Sequence, residues 1–124
     1  MSIPRISRED LKARLETGTP PVIVDARLKY PYEHSTLQLP GAIRLPPAST
    51  DLSVIPPGRD VVVYDSDPDE IVSAPVVAAL IDQGMNATAL AGGLSEWIAA
   101  GFPTETRTGA VPPPPPAPAA TAKA

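Results

Sequence analysis

The sequence predicts an α/β domain in three layers, with a small, mostly parallel central sheet flanked by helices. Two short runs are apolar on successive positions, Val22-Ile23-Val24 and Val61-Val62-Val63, as strands buried on both faces require. Segments with helical spacing alternate with runs of this kind, the order expected of a parallel sheet. Gly or Pro closes nearly every segment.

The elements follow in order. Residues 7–16 predict a helix. Ser7 caps it, Glu9 and Asp10 lie in the first turn where the helix dipole favours acids, Leu11 and Leu15 share a face, and Gly18 is the expected stop. The first strand ends in Asp25. Residues 28–40, with Tyr30, Pro31 and Tyr32, read as irregular. Residues 42–45 form a short strand between Pro40-Gly41 and Pro46-Pro47. Residues 60–64 form the strongest strand and lead into an acidic loop, Asp65-Ser66-Asp67-Pro68-Asp69-Glu70. Residues 73–83 predict a helix with Pro75 in its first turn, where a missing N–H costs nothing. Val76, Val77, Leu80 and Ile81 make its apolar stripe, and Gly84 its stop. Residues 87–90 form a last short strand. Residues 94–100 form a helix with Trp97 and Ile98 facing inward, ended by Gly101 and Pro103.

The chain has 124 residues, 18 prolines, no cysteine and one histidine. Six prolines, Pro112 to Pro116 and Pro118, fall among alanines near the end. That composition predicts a folded domain over residues 1–109 and a disordered Pro/Ala-rich tail over residues 110–124. The tail also has the composition of an SH3-, WW- or profilin-type ligand, though no arginine flanks the proline run to orient SH3 docking. The absence of cysteine excludes disulfides, cysteine zinc sites and thiol catalysis. The single histidine, His34, excludes multi-histidine metal sites and reads as a surface residue. A net charge of −4 argues against nucleic acid and anionic membranes as partners. No apolar run reaches the ~20 residues of a membrane span, and the N-terminus lacks the apolar centre of a signal peptide. A cytoplasmic monomer without cofactor or metal is expected.

In an open parallel sheet the site lies beyond the carboxyl ends of the strands. The loop after Tyr64 is delivered there and enters a helix N-terminus, where successive N–H groups make an anion cradle. Four stretches together resemble the rhodanese homology domain: Val22-Ile23-Val24-Asp25-Ala26-Arg27, Leu39-Pro40-Gly41-Ala42-Ile43-Arg44-Leu45-Pro46, Val61-Val62-Val63-Tyr64 before a loop, and Leu90-Ala91-Gly92-Gly93-Leu94-Ser95-Glu96-Trp97 followed by Ala100-Gly101-Phe102-Pro103. They cover roughly residues 5–105. The resemblance implies a strand ending in a catalytic cysteine, which opens a six-residue loop of amides holding a thiolate or persulfide. Active members of that family move sulfane sulfur from thiosulfate or a related donor to a thiophilic acceptor.

This sequence departs from that pattern at the cysteine. Asp65 follows Tyr64, and Asp67 stands where some related loops carry a second cysteine. Gln38 and Pro75 replace a histidine and an arginine common in the family. No catalytic residue is therefore expected, and Asp65 is a degenerate catalytic position. Asp65, Ser66, Asp67, Pro68, Asp69 and Glu70 become a binding loop, supported by Asp25 and Arg27. Two readings of Asp65 stand. Its carboxylate is held by amides as a fixed anion, or it is a solvated loop acid capping the next helix. Asp25 and Arg27 either brace the sheet edge, as the family pattern implies, or form a surface pair of little weight.

The domain is thus expected to bind or regulate a protein or small molecule rather than transfer sulfur. One alternative is a sulfurtransferase by family alone. Another is Mg²⁺-dependent phosphatase-like chemistry, because an apolar strand followed by Asp65 and Asp67 resembles the first motif of haloacid-dehalogenase-type enzymes. The downstream lysine such enzymes need is missing, since Lys123 is the only lysine after Glu70. A third alternative is a structural domain whose loop has lost its chemistry. A calcium loop does not fit, because Glu70 and Val76 occupy the positions that need glycine and glutamate.

Overall fold

The computed structural model describes residues 3–46, 52–56, 58–66 and 72–106. Five strands form the main sheet: β1 (Arg5–Ile6), β2 (Val22–Asp25), β4 (Ile43–Arg44), β5 (Val61–Tyr64) and β6 (Ala87–Leu90). Their order is β1-β6-β5-β2-β4, and every pairing is parallel. Two further strands, β3 (Leu37–Gln38) and β7 (Glu105–Thr106), make a separate antiparallel ribbon. The helices are α1 (Arg8–Leu15), α2 (Lys29–Glu33), α3 (Ser73–Asp82) and α4 (Gly93–Ala99), with a short 3₁₀ turn at Leu52–Val54.

The layers follow from the alternation of side chains along each strand. Val22, Val24, Val61, Val63, Ala87 and Ala89 face α3, where Val76, Val77 and Leu80 meet them. Ile23, Val62, Tyr64 and Leu90 point the other way, onto Leu11 of α1 and Leu94 and Trp97 of α4. Every residue of β2 and β5 is buried, which is why neither strand shows a polar alternation. Trp97, the single tryptophan, is fully buried; its indole N–H donates to the Pro103 carbonyl at 2.7 Å, and its ring meets Phe102 edge-on. No helix among the described residues is long and apolar enough to cross a membrane.

Several expectations need correction. The region from residue 28 to 40 is not irregular throughout, because it holds α2 and β3. Pro31 fits α2 as it sits in the first turn, where backbone N–H groups have no intrahelical partner. β1 is an edge strand of two residues, too short to show a pattern. α1 stops before Gly18: the Glu16 and Thr17 amides turn back onto the Ala13 and Arg14 carbonyls, and the Thr17 hydroxyl donates to Arg14 O at 2.7 Å. Ile81 and Ile98 are 36 % and 44 % exposed. Each lies at the margin of its helix's apolar stripe, turned away from the sheet. The Ser7 cap is as expected, its hydroxyl accepting from the Asp10 amide at 3.0 Å. Gly84 ends α3 at φ +84° and Gly101 ends α4 at φ +74°.

Candidate functional site

β5 is central in the sheet and ends in Tyr64, so the chain leaves it at the carboxyl edge between β2 and β6. Asp65 is the first residue out, and it is only 1 % exposed. Its Oδ2 accepts the backbone N–H groups of Val72 at 2.9 Å and Ser73 at 2.6 Å. These are the leading amides of α3, which has no side-chain cap from its own N-cap residue, Val72. Helix starts leave such donors without intrahelical partners, and here an acid seven residues upstream supplies the acceptor. The Asp65 main-chain carbonyl accepts from Leu94 N at 2.8 Å, in the first turn of α4. One residue therefore ties two helix N-termini to the end of the central strand.

Asp65 combines the two readings of its side chain. It is a helix cap, but a buried one, and its amide donors belong to α3. Ser66, the next loop residue, is partly buried. Asp67, Pro68, Asp69 and Glu70 lie outside the described residues. Ser73 contributes its N–H, while its buried hydroxyl has no hydrogen-bond partner among the described residues.

The neighbouring strand ends supply a bracing network. Asp25 and Arg27 are each 1 % exposed, so the surface-pair reading is overturned. Arg27 Nε lies 3.0 and 3.1 Å from the two Asp25 oxygens, and its Nη2 is 2.7 Å from Oδ2. This is the planar fork that arginine presents to a carboxylate. Residues i and i+2 of an extended chain share a face, which puts the pair together at the end of β2. The Tyr64 hydroxyl donates to Asp25 Oδ2 at 2.9 Å. Arg44 donates to the Asp25 and Arg27 carbonyls and lies 3.9 Å over the Tyr32 ring.

The electrostatics follow from this packing. Burial pushes the Tyr64 phenol well above its usual range, and the Asp25 charge pushes it further. Burial works against the Arg27 charge, but hydrogen bonds and the charge of Asp25 outweigh it, so its pKa is raised. Tyr64 and Arg44 were not foreseen as parts of this edge, whereas the Val72 and Ser73 amides are helix-start donors of the kind the cradle reading expects. For Tyr64 a signal existed, because a phenol at the end of a fully apolar run needs a polar partner. For Arg44 none did, since its role depends on which segments the sheet brings together.

An apolar cleft of about 220 Å³ opens beside the start of α3, between Leu45, Leu52, Val72 and Val76. A larger cleft of about 500 Å³, near Arg14, Pro20, Gly58 and Asp60, lies at the opposite, amino ends of the strands. No group of three or more His, Asp or Glu side chains that could hold a metal ion occurs among the described residues. The main-chain donors at the edge hold an anion, the Asp65 carboxylate. It offers no sulfur atom.

The model of the rhodanese-like domain family matches residues 7–100. No curated protein sequence matches the chain. Among solved structures, a full-length protein from Lactobacillus plantarum is 27 % identical with a TM-score of 0.76, over 83 % of this chain and 88 % of that one. A rhodanese-like domain protein from Staphylococcus aureus is 24 % identical, TM-score 0.67, over 77 % and 91 %. A thiosulfate sulfurtransferase from Pseudomonas aeruginosa is 24 % identical, TM-score 0.71, over 90 % of this chain but 21 % of its own length. With the family model spanning most of its length and a parallel sheet flanked by helices in place, the chain belongs to the rhodanese-like domain family.

Proposed function

We propose that this rhodanese-like domain does not transfer sulfur and acts as a binding or regulatory module through the 65–70 loop. The observation that carries this is the Asp65 carboxylate, buried and bonded to the α3 amides, where the family resemblance expects a thiolate. A carboxylate supplies the negative charge but cannot be sulfurated. Asp67, Asp69 and Glu70 give the loop further negative charge, which suits a cationic protein or small molecule. The apolar cleft beside Val72 offers adjoining contact area.

Burial of Asp65 speaks against the phosphatase-like alternative. A nucleophilic carboxylate must meet a phosphate from solvent, and this one is turned into the fold.

The test is Asp65→Cys. If the amides form an anion cradle, the introduced thiolate attacks the outer sulfur of thiosulfate. One S–S bond forms on that side chain, the S–SO₃ bond breaks and sulfite leaves. Mass spectrometry then shows a gain of one sulfur on the variant and none on the parent. The parent gives no protein-dependent thiosulfate:cyanide transfer. Turnover by the parent chain sinks the proposal. An Asp65→Cys variant that folds yet stays unmodified removes the cradle and favours a loop with no retained anion geometry.

A further inference from the structure

The β3–β7 ribbon holds Thr106, the last described residue, close to the end of α2. Gln38 pairs with Glu105 and Leu37 with Thr106, antiparallel. Gln38 Nε2 and the Gly41 amide both donate to Glu105 Oε1, at 2.9 and 2.7 Å, and fix that register. Thr106 therefore sits opposite Leu37, four residues past the end of α2.

α2 buries none of its residues. Leu28 is 54 % exposed and Tyr30 is 72 % exposed. The Tyr30 ring lies 4.3 Å from that of His34, tilted by 32°. Tyr30 and His34, one helical turn apart, and Leu28 at the helix start thus leave aromatic and apolar surface exposed on and beside α2. Aromatic surface of this type recognises polyproline II segments, which are already extended and lose little entropy on docking. The chain carries a proline run with the composition of one, Pro112 to Pro116 with Pro118.

We propose that residues 112–118 dock on their own domain, as a polyproline II segment across Leu28, Tyr30 and His34. The reach is sufficient. From Thr106 to Pro112 an extended chain spans about 20 Å. Residues 28–34 of the helix run only about 9 Å, while seven residues of polyproline II cover about 20 Å. A short tether gives an effective concentration on the order of millimolar, so an intrinsic affinity in the same range fills the site by half. The docked segment lies along the rim of the carboxyl edge, because α2 directly follows the Asp25–Arg27 pair. The proposal does not depend on what the Asp65 loop binds.

The experiment uses the full chain. Because it has no cysteine, Ala119→Cys places a single nitroxide label just past the proline run. The expected result is that backbone amide signals of residues 28–34 lose at least half their intensity, while those of residues 82–86 at the opposite edge do not. Tyr30→Ala, at an exposed position, and Pro114→Gly, in the segment itself, each restore the lost intensity. Broadening that is absent or spread evenly over the surface overturns the proposal. So does broadening that arises only when labelled protein is mixed with isotope-enriched unlabelled protein, since the site is then filled by a second copy.

Discussion

Asp65→Asn separates a buried anion from a solvated cap, because it keeps the shape and removes the charge. Two N–H donors, from Val72 at 2.9 Å and Ser73 at 2.6 Å, converge on Oδ2. A hydrogen bond to a charged partner contributes about 1.5–3 kcal/mol and a neutral one about 0.5–1.5 kcal/mol. The change therefore costs about 1 kcal/mol per bond, or about 2 kcal/mol for both. Loss of the negative charge from the α3 N-terminus adds about 1 kcal/mol at a buried site. The expected loss is about 3 kcal/mol, against about 1 kcal/mol for an exposed cap. Urea unfolding at neutral pH, followed by Trp97 fluorescence, measures it. With a slope of about 1.5 kcal/mol per molar, the midpoint falls by about 2 M with the slope unchanged. A fall of about 0.7 M or less, the value for an exposed cap, would refute the reasoning, because a buried carboxylate bonded to two amides cannot lose its charge so cheaply.

Three further changes test other parts of the edge. Because Tyr64 is held neutral by burial and by Asp25, the folded state keeps a proton that the unfolded phenol loses near pH ~10. Its contribution is complete below that pH and is lost as pH rises, at up to about 1.4 kcal/mol per unit. Tyr64→Phe costs about 2 kcal/mol at neutral pH and flattens the decline above pH ~10; parallel curves for the two proteins contradict it. Gly92 has φ +85°, and a Cβ there would lie 2.5 Å from Glu96 Cγ and 2.6 Å from Glu96 Cβ. Gly92→Ala therefore costs about 3 kcal/mol and lowers the melting temperature by about 10–20 °C. Gly84→Ala, with φ +84° and nothing within 4 Å, costs about 1–2 kcal/mol; equal melting shifts for the pair reject the contact argument. Ser73→Ala removes a buried hydroxyl without a described partner and leaves stability unchanged or raises it by up to about 1 kcal/mol. A drop in its urea midpoint would mean the hydroxyl is bonded.

Parts of this fold were readable because a local pattern and a tertiary requirement agree. Val22-Ile23-Val24 and Val61-Val62-Val63 are apolar on both faces, and the sheet covers both faces. Pro75 sits in the first turn of α3, where a missing N–H is harmless. Reading failed where an element is made by its neighbours. Arg5–Ile6 and Glu105–Thr106 are strands only because β6 and β3 pair with them. Ile81 and Ile98 fit a helical stripe, but the sheet is too narrow to cover the stripe's edge. The Asp25–Arg27 pair was half legible: the i, i+2 spacing puts both on one face, but only the closure of Tyr64, Arg44 and Tyr32 around them makes it buried. The Asp65 cap resembles no capping box, since its donors lie seven and eight residues downstream.

The carboxyl edge explains why an acid suits position 65 better than a neutral residue. α3 begins inside the fold, with the Ser73 amide buried and the Val72 amide beside it. Leaving such donors unbonded costs about 1–3 kcal/mol each. An alanine at position 65 would incur that cost and lose the favourable charge at the helix end. A thiolate meets the same need while also being a nucleophile. A carboxylate meets it without sulfur reactivity, and its short, rigid side chain reaches both amides with one oxygen. The electrostatic demand of the α3 N-terminus can therefore be met by a residue that carries no sulfur. A match in fold thus does not by itself establish sulfur transfer. The decisive quantity is what the residue after Tyr64 can bond covalently, and the amides around it accept any compact anion that fits.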